Sequence, residues 1–344
     1  MRSRIMVCRK TINLGMVLFL ACGFSAKADN IFVSDSGNGT IVKLDSSGNE
    51  TVFASGLANP AGLALDGSGN LYVADSGNGT ILQFNSSGNG SVFASGLNDP
   101  TGLAFGNYGN LYVADSSDGT ILEFNSSGNS SVFVSSLGSN VNPTYLAFGN
   151  GGELYASTTH KIQGFDSNGN QSAIFGAYQF VEGLAADTSG DLYVAMQNAG
   201  SISRVLGSGG PATPLNYPFN VNVLQANPTG LAFDGNGNLY ATFTQLGYFG
   251  TDGTLNVLNG VVMEFNASGD GSVLATGLDN PKYIAVQNTP GLPVLQFVPE
   301  PSTWAMMLLG LGIFVAACRF RKTPPLAVPV RVARRMGKMP VNRD

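Results

Sequence analysis

The chain has 344 residues, a formal net charge of −5, 11% charged side chains, 46 glycines, three cysteines and a single histidine. Its charge is uneven: residues 29–298 hold four cations (Lys43, Lys161, Arg204, Lys282) against 20 Asp and Glu, a net −16, while both ends are basic. So acidic a central region is repelled by phosphate backbones, which excludes nucleic acid as a partner, and its lack of cysteine excludes a disulfide scaffold.

Residues 1–28 predict a secretory signal peptide. Arg2, Arg4, Arg9 and Lys10 form a basic start, Ile12 to Phe24 a short apolar core, and Ala26-Lys27-Ala28 a small-x-small cleavage site. The alternative is a lipoprotein signal with Cys22 as the lipidated residue.

From Asn30 the chain repeats. NIFVSDSGNGTIVKLDSSGNETVFASGL begins at Asn30, NLYVADSGNGTILQFNSSGNGSVFASGL at Asn70, and NLYVADSSDGTILEFNSSGNSSVFVSSL at Asn110. A fixed period in this range marks a solenoid, an array or a propeller. Each repeat holds four short apolar runs bounded by Gly, Asn, Ser or Asp, which predict four strands. They are A (as in Gly102–Phe105), B (Leu71–Asp75), C (Ile81–Asn85) and D (Ser91–Ser95). Asn38-Gly39, Asn78-Gly79 and Asp118-Gly119 lie between B and C and predict tight hairpins with positive φ at both central residues. B is apolar on both faces, as a sheet stacked between two others requires. Asp66-Gly67-Ser68-Gly69-Asn70 and its like predict A–B hairpin turns, with a calcium loop as the alternative. Sequons such as Asn78, Asn85, Asn125 and Asn266 read as turn residues, with glycosylation as the alternative.

B strands begin at Ile31, Leu71, Leu111, Leu154, Leu192 and Leu239. Residues 31–54 supply B, C and D without an A, whereas Lys282-Tyr283-Ile284-Ala285-Val286 is an A with no repeat after it. Joining them closes a ring and removes two sheet edges. The expected fold is therefore all-β: a six-bladed β-propeller of four-stranded antiparallel blades over residues 29–290, with an open β-solenoid as the alternative.

The stretch PTGLAF…GNLYVADSSDGTILEF resembles the NHL repeat and, more broadly, SMP-30/gluconolactonase-like and streptogramin-lyase-like propellers, over about Asp29 to Gln287. The lactonase resemblance implies a metal held by Glu, Asn and Asp at the starts of A strands. The matching positions here are Ala61, Thr101, Thr144, Glu182, Thr229 and Lys282. Glu182 alone keeps a ligand type, too little for a divalent cation, so neither metal nor cofactor is expected. The lyase resemblance implies a histidine base; His160, in the B–C turn of blade 3, is the sole histidine, and no partner to orient it is visible.

Two departures from the period fall before and inside blade 5. Leu215–Asn227, with Tyr217 and Phe219, lengthens the D–A connection, and Gln245–Gly260, with Tyr248 and Phe249, lengthens the B–C loop. Strand alternation puts both on the face that carries Glu182 and Lys282. Aromatic residues on long loops over a rigid scaffold are material for a binding site. The alternative is that the loops cap the axis.

After a linker at 291–298 the character changes. Pro299-Glu300-Pro301 precedes an apolar run, Ala305 to Cys318, then Arg319, Arg321 and Lys322. Ser302–Cys318 is at the short end for a membrane helix, and the basic residues after it favour a cytoplasmic C-terminus. This order resembles the PEP-CTERM sorting signal, here over 299–322. The resemblance implies an exosortase-type processing enzyme as partner, a membrane tether before cleavage, and release to the surface or beyond in a Gram-negative bacterium. The basic tail 323–344 departs from the family, whose members stop soon after the arginines; an ordinary anchor is the alternative. Together these features predict an exported, non-catalytic binding or scaffold module for an envelope glycan or protein. The alternatives are a hydrolase or lyase, and a structural matrix protein.

Overall fold

The structure is a computed structural model that describes residues 30–138, 141–158, 161–175, 180–197, 199–205, 213–214, 223–249 and 255–287. These residues form six antiparallel four-stranded sheets. Blade 1 shows the pattern: A is Pro60–Leu65, B Leu71–Asp75, C Thr80–Phe84 and D Gly90–Ser95. The A strands line the axis, each packed on the next in chain order, and that of blade 6 on that of blade 1.

B strands are the buried centre of every blade. Ile31, Leu71, Leu111, Leu154, Leu192 and Leu239 are all 2% exposed or less. Their neighbours bind one blade to the next through edge-on aromatic pairs, such as Tyr72 with Phe93 of its own blade and Phe105 of the following one, both at 5.0 Å. The D strands supply half of this packing through a bulge. Ile81 pairs with Ala94 and Leu82 with Val92, so Phe93 is left without a partner and turns inward; the same slip occurs at Phe53 and Phe133. A bulge also blunts an outer edge against pairing with another chain.

The ring closes as the split repeat requires. Pro281–Gln287 pairs with Asn30–Asp35, with Ile31 opposite Val286 and Val33 opposite Ile284. Asn30 Nδ2 donates to Gln287 Oε1 at 2.6 Å, and the Tyr283 amide donates to Ser34 Oγ at 3.0 Å.

The B–C turns differ from expectation. The link in blade 1 is four residues, Ser76–Gly79, and of these only Gly79 has positive φ (62°), as do Gly39 and Gly119 in their turns. Asn38 and Asn78 keep ordinary φ. Each donates to the aspartate that ends its B strand, Asp35 at 3.0 Å and Asp75 at 2.7 Å. The A–B turns at Asp66, Asp187 and Asp234 and the described C–D turns are Asx turns, whereas the A–B turns of blades 2 and 3 start at Gly106 and Gly149 and close through backbone bonds alone. Asp66 accepts from the amides of Ser68 and Asn70 and from the Asn70 side chain, at 2.8–2.9 Å. Asn85, Asn125 and Asn266 accept amide hydrogens in the same way.

Candidate binding site on the propeller axis

The insertion in blade 5 is strand, not loop. Its B strand runs from Leu239 to Phe249 and its C strand from Leu255 to Phe265. They pair in a single register from Leu239–Phe265 to Phe249–Leu255, skipping only Thr244 opposite Gly260. The A strand is lengthened too, Val223–Phe233, and pairs Val223 with Tyr248. Alternation explains why: Leu246, fully buried, and Leu258 pack on the blade core, while Leu255 and Val257 face outward. A polar loop would give the core nothing to hold. The hairpin extends from the end of the sheet where A strands begin and B strands finish, the end that bears Glu182 and Lys282. Tyr248 and Phe249 lie in its tip, whereas Tyr217, Phe219 and His160 lie outside the described residues.

On that same face the axis opens into a cavity of about 230 Å³. It is lined by Ala61, Thr101, Thr144, Glu182 and Lys282, five of the six A-strand starts, together with Asn59, Ser76, Asp99, Tyr145 and Tyr283. Thr229 is buried to one side, where its hydroxyl donates to the Pro281 carbonyl at 2.9 Å. Burial raises the Glu182 carboxyl above its usual range, and the nearby Lys282 ammonium opposes that.

Sequence reasoning missed five of these residues (Asn59, Ser76, Asp99, Tyr145 and Tyr283) and one neighbour, Phe180. Four A strands carry glycine directly after Ala61, Thr101, Glu182 and Thr229 (Gly62, Gly102, Gly183, Gly230), because the next A strand lies against them. A Cβ on Gly102 would stand 2.6 Å from the Thr144 carbonyl, and one on Gly230 2.6 Å from that of Lys282. Blades 3 and 6 have Tyr145 and Tyr283 there instead. These blades stand opposite each other, and their rings stack across the axis at 4.4 Å and 23°. Tyr283 Oη donates to the Thr144 carbonyl at 3.2 Å, and burial holds both phenols protonated well beyond the usual range.

Two positions before Ala61, Thr144, Thr229 and Lys282 stand Asn59, Asn142, Asn227 and Asn280, but before Thr101 in blade 2 it is Asp99 and before Glu182 in blade 4 Phe180. Asn59 and Asn280 donate to Ser76 and Ser36, at 2.7 and 2.8 Å. Asp99 cannot donate, and its carboxylate joins the cavity. Phe180 is 43% exposed with φ of 58°, a strained conformation for a bulky residue. Writing the six A strands one under another exposes all these departures. Among the described residues no group of three or more His, Cys, Asp or Glu is placed to hold a metal.

A ring of six four-stranded blades with a pocket on its axis defines a six-bladed β-propeller. Its sequence matches the model of the SMP-30/gluconolactonase/LRE-like region over residues 24–160, and that of the PEP-CTERM protein-sorting motif over residues 297–322. The sorting motif implies an exported protein processed by an exosortase. No curated protein matches the chain. Three solved structures are similar in fold. The nidogen/laminin complex gives a TM-score of 0.57 at 18% identity, covering 75% of this chain and 97% of that one. A protein of unknown function from Bacteroides caccae gives 0.56 at 15%, covering 75% and 98%. Virginiamycin B lyase from Staphylococcus aureus gives 0.50 at 14%, covering 72% and 94%. Among the described residues no helix is long and apolar enough to cross a membrane; both apolar runs, Ile12–Phe24 and Ser302–Cys318, lie outside them.

Proposed function

We propose that the chain is an exported, non-catalytic binding module that takes a neutral polar ligand, an envelope glycan, over blades 4 to 6 of the axial face. The observation that carries this reading is the composition of the axial cavity, which opens on the same face as the lengthened blade 5. Thr101, Thr144 and Ser76 offer hydroxyls, Asn59 an amide, Tyr145 and Tyr283 aromatic surface, and Asp99, Glu182 and Lys282 charges of both signs. Hydrogen-bonding groups over aromatic faces suit a sugar, and mixed charge does not suit a polyanion. Tyr217, Phe219, Tyr248 and Phe249 complete the site as stacking groups from the insertions. Residues 1–28 direct export, and Pro299-Glu300-Pro301, the apolar run and Arg319 and Arg321 form the signal that tethers the chain until an exosortase-type enzyme cuts it.

The test is binding of immobilised envelope polysaccharides by the purified propeller and by a variant in which Tyr248–Asn256 is replaced by Asn-Gly. Leu246 and Leu258 stay, and Gly247 and Val257 are joined by a two-residue hairpin turn. Binding is expected to be lost with the thermal midpoint unchanged, and EDTA to have no effect on the parent protein. Unchanged affinity in the variant, or loss with EDTA, refutes the reading. A hydrolase or lyase reading is favoured by the SMP-30/gluconolactonase/LRE-like match. Turnover of an aldonolactone or of a streptogramin B by the same preparation would establish it instead.

A further inference from the structure

We infer that the axial cavity is a dead end that takes the terminal unit of a glycan chain and rejects internal stretches. This rests on the glycan-binding reading and adds to it a rule for which part of the glycan is bound.

A propeller axis open at both faces would let a chain pass through. Here it is blocked. Tyr145 and Tyr283 come from opposite blades, stack at 4.4 Å, and are buried under the pocket they help to line. The Tyr283 hydroxyl is anchored on the Thr144 carbonyl across the axis, so the floor is fixed by a hydrogen bond as well as by packing. Gly102 and Gly230, each in the blade just before a tyrosine blade, leave room for the tyrosine backbones to come close. The walls are A strands packed on one another in a closed ring. The remaining opening is the face on which Glu182 and Lys282 stand.

Size then selects. The cavity measures about 230 Å³, below the roughly 300–1,000 Å³ of pockets that enclose drug-sized ligands. At about 30 Å³ of liquid volume per water it replaces roughly seven or eight waters, enough for one sugar ring and not for a run of them. An internal unit has a neighbour on each side, and both would have to leave through the same mouth. A terminal unit has one. The charge in the lining also selects: Asp99 and Glu182 outnumber Lys282, which favours a neutral end over a uronate or another acidic one.

The decisive probes are linear and cyclic neutral glucans matched in linkage and number of units, α-1,4 and β-1,2, titrated calorimetrically against the native propeller. A cyclic glucan offers the same rings and hydroxyls without an end. The linear form is expected to bind at least about tenfold more tightly, and the matching methyl glycoside of the single sugar to displace it. Equal affinity for the two forms overturns the dead-end inference while leaving the glycan reading intact. Failure of every glucan and polysaccharide to bind overturns both. Thr101→Phe fills the mouth and is expected to abolish linear binding; a folded Thr101→Phe protein that still binds the linear form at parental affinity also overturns the inference.

Discussion

The repeat is held in place by a few side chains whose partners change with one atom. Asp75, 2% exposed, ends its B strand and accepts from the amides of Ala58 and Asn59, both at 2.9 Å, and from Asn78 Nδ2. This ties the D–A connection to the B–C turn. In blade 2 the same turn position is Asp118, which cannot donate. Asp115 keeps the Asn98 amide at 2.7 Å but gains carboxylate neighbours, and burial with those charges pushes it up to about 6. The folded state thus holds this proton more tightly than the unfolded chain, so Asp115 lowers stability as pH rises from ~4 to about 6. Asp118→Asn restores the donor and removes a charge. It is expected to stabilise the protein by about 1 kcal/mol at pH 7 and to have little effect near pH 4, measured by urea unfolding across that range. Equal effects at both pH values would refute this assignment. The motif itself was legible in the repeats, but the burial that gives it consequence was not.

At the scale of strands, period and composition located every B strand, because β-branched and aromatic runs between Asn- and Gly-rich turns read the same in each copy. The blade 5 insertion was not legible in this way. Gly247, Asn256 and Asn259 look like loop residues, yet Leu246 and Leu258 anchor them in paired strands. Local propensity loses there to burial of two leucines on one face. The closing strand makes a sharper prediction. Pro281–Gln287 contributes the innermost strand of blade 6 and one of the two stacked tyrosines. A propeller ending at Asp279 leaves Asn30–Asp35 with a bare inner edge. It is expected to lose its cooperative unfolding transition and to self-associate on size-exclusion chromatography. A monomeric, cooperatively unfolding product would show that closure is dispensable.

For the whole molecule, the prediction concerns its ends. In an exosortase-bearing host the exported product is expected to begin at Asp29 and to lack Trp304–Asp344, checked by intact mass; recovery of the C-terminal residues in the exported form would rule out processing. The propeller between the ends was determined by sequence alone. Six copies of one strand pattern, with a repeat split between the termini, leave few other ways to bury both faces of every B strand and pair every inner edge. The dead-end pocket was decided by tertiary structure. Tyr145 and Tyr283 are 138 positions apart and carry no local signal; they become a floor because ring closure sets blade 3 opposite blade 6. Asp99 and Glu182 likewise belong to one cavity only because successive A strands converge on the axis. A repeat encodes its neighbours' contacts in its own residues, whereas what meets across the ring depends on how many blades close it.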